Sequence, residues 1–206
     1  MTIAHYFTFI RIFISPVFLL VYVYYQELEL SPFFLPVVLL FLLGVSELSD
    51  AFDGYLARKY NQVTDLGKIL DPMADSIYRL SVFLTFTLEP VKIPLGLIFI
   101  FLYRDSVVST LRTICALKGV ALAARRSGKI KAVIQAFAAV VVLVLMMLSA
   151  TALITPKELT FYSSLVVGLA AAYTFFSGID YIYANRTYIR KVLSAKKKST
   201  LVSRPN

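Results

Sequence analysis

Charge is scarce in this chain, and what there is leans one way. Only 16% of the 206 residues are charged against 59% hydrophobic, and the mean hydropathy is +0.77. Soluble globular domains are nearer ~45–50% apolar, so the composition excludes that class and points to a bilayer. There is one cysteine, Cys115, and one histidine, His5. A lone cysteine excludes an intrachain disulfide, and inside an apolar stretch it reads as a small buried hydrophobe. His5, among aromatics near the start, reads as an interfacial anchor, and no histidine or cysteine cluster exists to hold zinc.

What the chain has instead is long apolar runs. A transmembrane helix needs about 20 mostly apolar residues, and six stretches qualify, at roughly 4–25, 32–53, 71–89, 93–117, 132–155 and 159–183. The expected fold is an all-α integral membrane protein: a six-transmembrane-helix bundle forming one domain over 1–206, with a short basic tail from about 185. The first run has Arg11 in its middle and no small-residue cleavage site after it, so it reads as a retained span and not a signal peptide. Arg11 is either a functional group or a side chain snorkelling to the headgroups.

Lys and Arg in short loops mark the cytoplasmic side. Of 21 Lys and Arg, only Lys92 and Lys157 fall in the loops assigned to the outside. The remaining connections carry Arg58, Lys59 and Lys68, then Lys118, Arg125, Arg126, Lys129 and Lys131, then a tail from Arg186 to Arg204. Both termini are therefore expected in the cytoplasm. The tail run Lys196–Lys198 reads as an anchor to anionic lipid, and the net charge of +9 requires no nucleic acid.

Between the second and third runs lies DAFDGYLARKYNQVTDLGKILDPMAD, residues 50–75. Asp50 and Asp53 are three apart and Asp71 and Asp75 four apart, spacings that put each pair on one face of a helix. About 18 residues of helix from Pro32 bring Asp50 roughly 27 Å down the axis, to the cytoplasmic edge of a ~30 Å core. Four carboxylates at one membrane face need a counter-charge. Carboxylates alone are hard oxygen ligands, suited to Mg²⁺ or Mn²⁺, and four can hold two ions that clamp a phosphodiester or diphosphate for in-line displacement. Gly54 and Ala57 leave room for a ligand close to the helix, and Arg58 offers forked donors to phosphate. Pro72, a residue tolerated in a first turn, marks Asp71 as the start of the third helix.

These residues carry a resemblance. Asp50, Asp53, Gly54, Ala57, Arg58, Gly67, Asp71 and Asp75 match the spacing of the CDP-alcohol phosphotransferase signature. The resemblance implies six transmembrane helices and a homodimer in the cytoplasmic membrane. It implies that Asp50, Asp53, Asp71 and Asp75 bind two divalent ions, Mg²⁺ or Mn²⁺, and that Gly54, Ala57, Arg58 and Thr64 hold the CDP moiety. Asp75 would also act as base on the acceptor hydroxyl, with CMP leaving.

The fourth run bears on the acceptor. Arg104 lies 11 residues past Ile93, about 16 Å into the hydrocarbon layer, and Arg112 follows two turns on. With Lys129 and Lys131 these form a candidate pocket for an acceptor phosphate. The alternatives are pairing of Arg104 with Asp105, Glu47 or Asp180, and ordinary cytoplasmic charges at the lysines. Here YRDSVVSTLR, SGKIKAVIQ and SGIDY resemble the phosphatidylglycerophosphate synthases of the same family, with Asp105 where glutamate, Ala132 where threonine and Ser76 where lysine is usual. That resemblance implies CDP-diacylglycerol as donor and glycerol-3-phosphate as acceptor. Inositol phosphate, serine or phosphatidylglycerol would use the same chemistry. A cation-coupled transporter is the distant alternative, opposed by the absence of an inverted repeat and by four Asp at one face.

Overall fold

The computed structural model describes residues 3–59, 65–117 and 125–194, with side chains over 10–49, 52, 73–117 and 125–190. Among the described residues there is no strand. Six helices follow in order: α1 Ile3–Val23, α2 Phe34–Lys59, α3 Asp65–Thr85, α4 Leu95–Leu117, α5 Arg126–Ala150 and α6 Pro156–Ser194.

Local chemistry sets several of these boundaries. Ser31 Oγ accepts from the Phe34 amide at 3.3 Å, capping the turn that leads into α2, and Pro36 falls in the first helical turn. Past the end of α5, Ala152 takes φ 57° and the Leu153 amide returns to the Leu148 carbonyl at 3.0 Å, a six-to-one closure that stops the helix. Thr155 and Glu158 then form a reciprocal capping box. The Thr155 amide donates to Glu158 Oε2 at 2.7 Å, and the Glu158 amide donates to Thr155 Oγ1 at 3.3 Å. With Pro156 in the first position, α6 turns straight back along α5.

Packing follows. α1 lies against α2 and α3, α6 lies against α4 and α5, and the two groups meet through α3 with α4 and α2 and α3 with α5. Phe18 of α1 meets the Phe86 ring just past α3, edge-on at 6.1 Å, while Phe83 of α3 meets Phe101 of α4 at 4.9 Å. α5 and α6 bury several small residues, Ala138, Ala139 and Val142 on the first and Val167, Ala170 and Ala171 on the second. Small side chains allow the close approach by which helices associate where lipid removes the hydrophobic drive.

The outer face carries many large apolar side chains. Phe41 and Leu169 are exposed at 69% and 67%, alongside Phe13, Val133, Phe137, Phe161 and Phe176. Water-soluble monomers rarely show so much contiguous apolar surface. Two helical stretches, Arg126–Ala150 and Pro156–Arg190, are long and apolar enough to cross a membrane, with shorter apolar helices at Ile10–Val23 and Phe34–Ser49.

The helices depart from the expected bounds in two places that bear on the site. α3 begins at Asp65, so Asp71 and Pro72 sit in its second turn and do not open it. An interior proline loses one backbone hydrogen bond, and among packed membrane helices neighbouring groups can replace it. α6 continues to Ser194, so the first part of the expected tail is helical. No glycine or proline interrupts it after Gly178, and at 39 residues it spans about 58 Å, well beyond a ~30 Å core.

Candidate active site

The acidic motif is carried on two helices. Asp50 and Asp53 belong to the last part of α2, and Asp71 and Asp75 to the first part of α3, one helical turn apart. The side chains of Asp50, Asp53, Gly54, Ala57, Arg58 and Asp71, and all of Thr64, lie outside the described residues. Among the described residues there is no group of three or more metal-binding side chains. Asp75 is the motif member whose surroundings are described. It is one-third exposed and takes an ion pair from the Arg11 guanidinium of α1, which is 1% exposed. Arg11 therefore turns into the bundle and does not snorkel outward. An all-carboxylate donor set remains chemically suited to Mg²⁺ or Mn²⁺.

A second polar cluster joins α3, α4, α5 and α6. Asp105 of α4 is 7% exposed and receives Lys131 Nζ of α5 on both oxygens, at 2.8 and 2.9 Å. Arg104 Nη1 donates to the same carboxylate at 2.9 Å, and Ser76 Oγ of α3 lies 3.5 Å from it. Arg104 Nε donates to Ser177 Oγ of α6 at 3.2 Å. Its stem crosses α6 at Gly178, where a Cβ would stand 2.9 Å from Arg104 Cγ; only a glycine leaves this passage open. Of the partners considered for Arg104, Asp105 is the one it meets.

The other two acids have their own cations. Arg125 Nε reaches Asp180 Oδ2 at 3.1 Å, and Ser127 Oγ donates to the same oxygen at 2.7 Å. Glu47 of α2 pairs with Arg79 of α3 at 3.3 Å, and Arg79 also donates to the Ala132 carbonyl of α5. The structure thus brings Arg104 and Lys131 together. Lys129 is exposed on the first turns of α5, and Arg112 is half-buried on α4 with its buried Nε lacking a hydrogen-bond partner.

Arg79 is a residue that sequence reasoning missed. The signal was available: a charged side chain inside an expected span is a functional or structural suspect, the rule that singled out Arg11 and Arg104. Gly178 and Ser177 could not be assigned the same way, because their role depends on which side chain crosses α6.

The fold and the motif together define an all-helical membrane protein with carboxylates grouped on two neighbouring stretches of chain. The sequence profile of the CDP-alcohol phosphatidyltransferase family matches residues 1–176, and the chain belongs to that family. It is 32% identical over 188 residues to the CDP-diacylglycerol–glycerol-3-phosphate 3-phosphatidyltransferase of Rickettsia typhi, covering 90% of this chain and 98% of that protein. The Bacillus subtilis protein of the same name is 31% identical over 189 residues, covering 86% and 92%. A cardiolipin synthase (CMP-forming) of Streptomyces coelicolor is 41% identical over a shorter stretch of 69 residues, 34% of this chain and 32% of that protein.

Proposed function

We infer that this protein is a CDP-diacylglycerol–glycerol-3-phosphate 3-phosphatidyltransferase. It transfers the phosphatidyl group of CDP-diacylglycerol to sn-glycerol-3-phosphate, giving phosphatidylglycerophosphate and CMP in phospholipid biosynthesis. The observation that carries the reading is similarity over nearly the whole length to relatives of that name, from Rickettsia typhi to Bacillus subtilis. The similarity to a cardiolipin synthase covers about a third of the chain and gives no comparable support for another acceptor.

In the arrangement we favour, Asp50, Asp53, Asp71 and Asp75 would hold two divalent ions, Mg²⁺ or Mn²⁺. When bound, these ions supply charge neutralisation at the diphosphate and lower the pKa of a nearby hydroxyl. Asp75 receives the proton of the acceptor hydroxyl, whose oxygen bonds to the phosphatidyl phosphorus as the phosphorus–oxygen bond to CMP breaks. A carboxylate is a weak base at neutral pH, so orientation matters, and the ion pair with buried Arg11 holds it. Gly54, Ala57, Arg58 and Thr64 would bind the CDP moiety, and Arg104 and Lys131, with Arg112 and Lys129 nearer the water, would bind the acceptor phosphate. The exposed apolar surface supports a bundle embedded in lipid; six spans are the count we favour, and the Lys and Arg of the connecting loops favour both termini and the acidic motif on the cytoplasmic side of the cytoplasmic membrane. A homodimer is the assembly we expect.

The test is CMP release by purified protein in detergent with CDP-diacylglycerol and Mg²⁺, with glycerol-3-phosphate, inositol phosphate, serine or phosphatidylglycerol supplied separately. Release with glycerol-3-phosphate alone is the expected result. Release with a different acceptor alone would overturn the reaction, and none with any would overturn the enzyme class.

A further inference from the structure

We propose that Asp105 is a positioning residue for the acceptor: it holds Arg104 and Lys131 side by side so that both face one phosphate group. This rests on the acceptor pocket argued above and adds to it the residue that shapes the pocket without touching the reacting atoms.

The cluster contains two cations and one carboxylate. Lys131 takes both oxygens of Asp105 and Arg104 takes one, while Asp180 is engaged by Arg125 and Glu47 by Arg79. A purely structural ion pair would balance one to one. Here one positive charge is left over in a place where Asp105 is 7% and Lys131 8% exposed. An enclosed surplus charge is costly until an anion completes it, and a phosphate carries the matching charge and the oxygens to accept from both donors.

The orientation is fixed as well as the charge. Arg104 is held at Nε by Ser177 and at Nη1 by Asp105, and its stem is confined by Gly178. These contacts leave the Nη2 edge beside the first turn of α5, 3.6 Å from where a Cβ of Gly128 would stand. The Gly128 amide already donates to the Arg125 carbonyl at 3.2 Å, so what α5 adds here is the positive end of its dipole, which favours an anion. Ser76 Oγ, 3.5 Å from Asp105, follows Asp75 in sequence, so the cluster abuts the turn of α3 that carries the base.

Charge counting and positioning make opposite predictions for Asp105→Asn. Removing the carboxylate raises the local positive charge, which by itself would tighten anion binding. It also removes the group that holds two like charges together. Arg104 and Lys131 then repel, and the acceptor must gather them itself, which costs affinity.

Steady-state CMP release by the purified full-length protein, varying each substrate in turn, separates the two accounts. Asp105→Asn is expected to raise the KM for glycerol-3-phosphate about ten- to hundredfold, the loss of charge-assisted hydrogen bonds expressed as affinity. The kcat and the KM for CDP-diacylglycerol should stay within about twofold. Inorganic phosphate, used as a competitor against the acceptor, should lose potency in parallel, and Asp105→Glu should recover most of the loss. Gly178→Ala, which displaces Arg104 and leaves the carboxylate in place, should give the same split and serves if the Asn variant does not fold. An acceptor KM that falls or holds steady, or a loss confined to kcat, would overturn the proposal. If the wild type uses a different phosphorylated acceptor, the reaction inferred above fails while the same KM split on that acceptor still decides the role of Asp105. An acceptor without phosphate would overturn both.

Discussion

Replacing Arg79 with methionine tests how the bundle is held together at its polar level. Arg79 is 12% exposed and joins three helices: its own α3, α2 through Glu47, and α5 through the Ala132 carbonyl. Methionine keeps most of the volume and removes the charge, so little cavity cost is added. The charge-assisted hydrogen bond to the part-buried Ala132 carbonyl is worth about 1.5–3 kcal/mol. The Glu47 pair adds about 0.5–1 kcal/mol and not more, because Glu47 is 35% exposed and partly screened by water. The sum, about 2–4 kcal/mol, corresponds to a fall in Tm of roughly 5–15 °C for a chain of this size. The chain has no tryptophan, so the helical circular dichroism signal during heating in detergent is the readout. Glu47→Gln alone should cost less, and the double variant should fall short of the sum by about 0.5–1 kcal/mol. A Tm change below about 2 °C for Arg79→Met would refute the reasoning, since the three-helix junction would then contribute nothing measurable.

Asp75→Asn should nearly abolish turnover while sparing CDP-lipid binding better than Asp53→Asn, because in the proposed mechanism the first removes a base and the second mainly a metal ligand. Equal loss of donor binding, measured by titration with CDP-diacylglycerol, would contradict that division. Arg104→Ala should raise the KM for the acceptor about tenfold or more, in line with losing one charge-assisted contact, and leave the donor KM nearly unchanged. A selective loss of donor affinity would move Arg104 out of the acceptor pocket. Chelation should remove activity, with recovery on adding Mg²⁺ or Mn²⁺; full turnover in excess chelator would refute divalent-ion chemistry at the motif.

The all-helical character was legible because apolar runs of membrane length leave few other folds. Boundaries were less so. Pro72 marked Asp71 as a helix start in the sequence, yet α3 begins six residues earlier, at Asp65, because proline is tolerated within a packed membrane helix more readily than a rule drawn from isolated helices allows. The tail was read as a separate basic segment at about 185, while α6 runs on to Ser194, since positive charge alone does not stop a helix. The acidic motif was legible from spacing, because three- and four-residue intervals define a helical face without knowledge of any neighbour.

The sequence by itself determined that the chain is helical, apolar on its outside and armed with an acidic motif of fixed spacing, since these follow from composition and periodicity along one strand of chain. Only the tertiary structure decided which charges meet. Arg11 lies 64 residues from Asp75, Lys131 lies 26 from Asp105 and Arg104 lies 73 from Ser177, and each pairing depends on how helices from distant parts of the chain are arranged. Sequence could place Arg104 in the hydrocarbon layer and name three acids as partners. Choosing Asp105, and making Gly178 the gap through which the arginine passes, required the packing of α4 against α6, where a single Cβ would close the space.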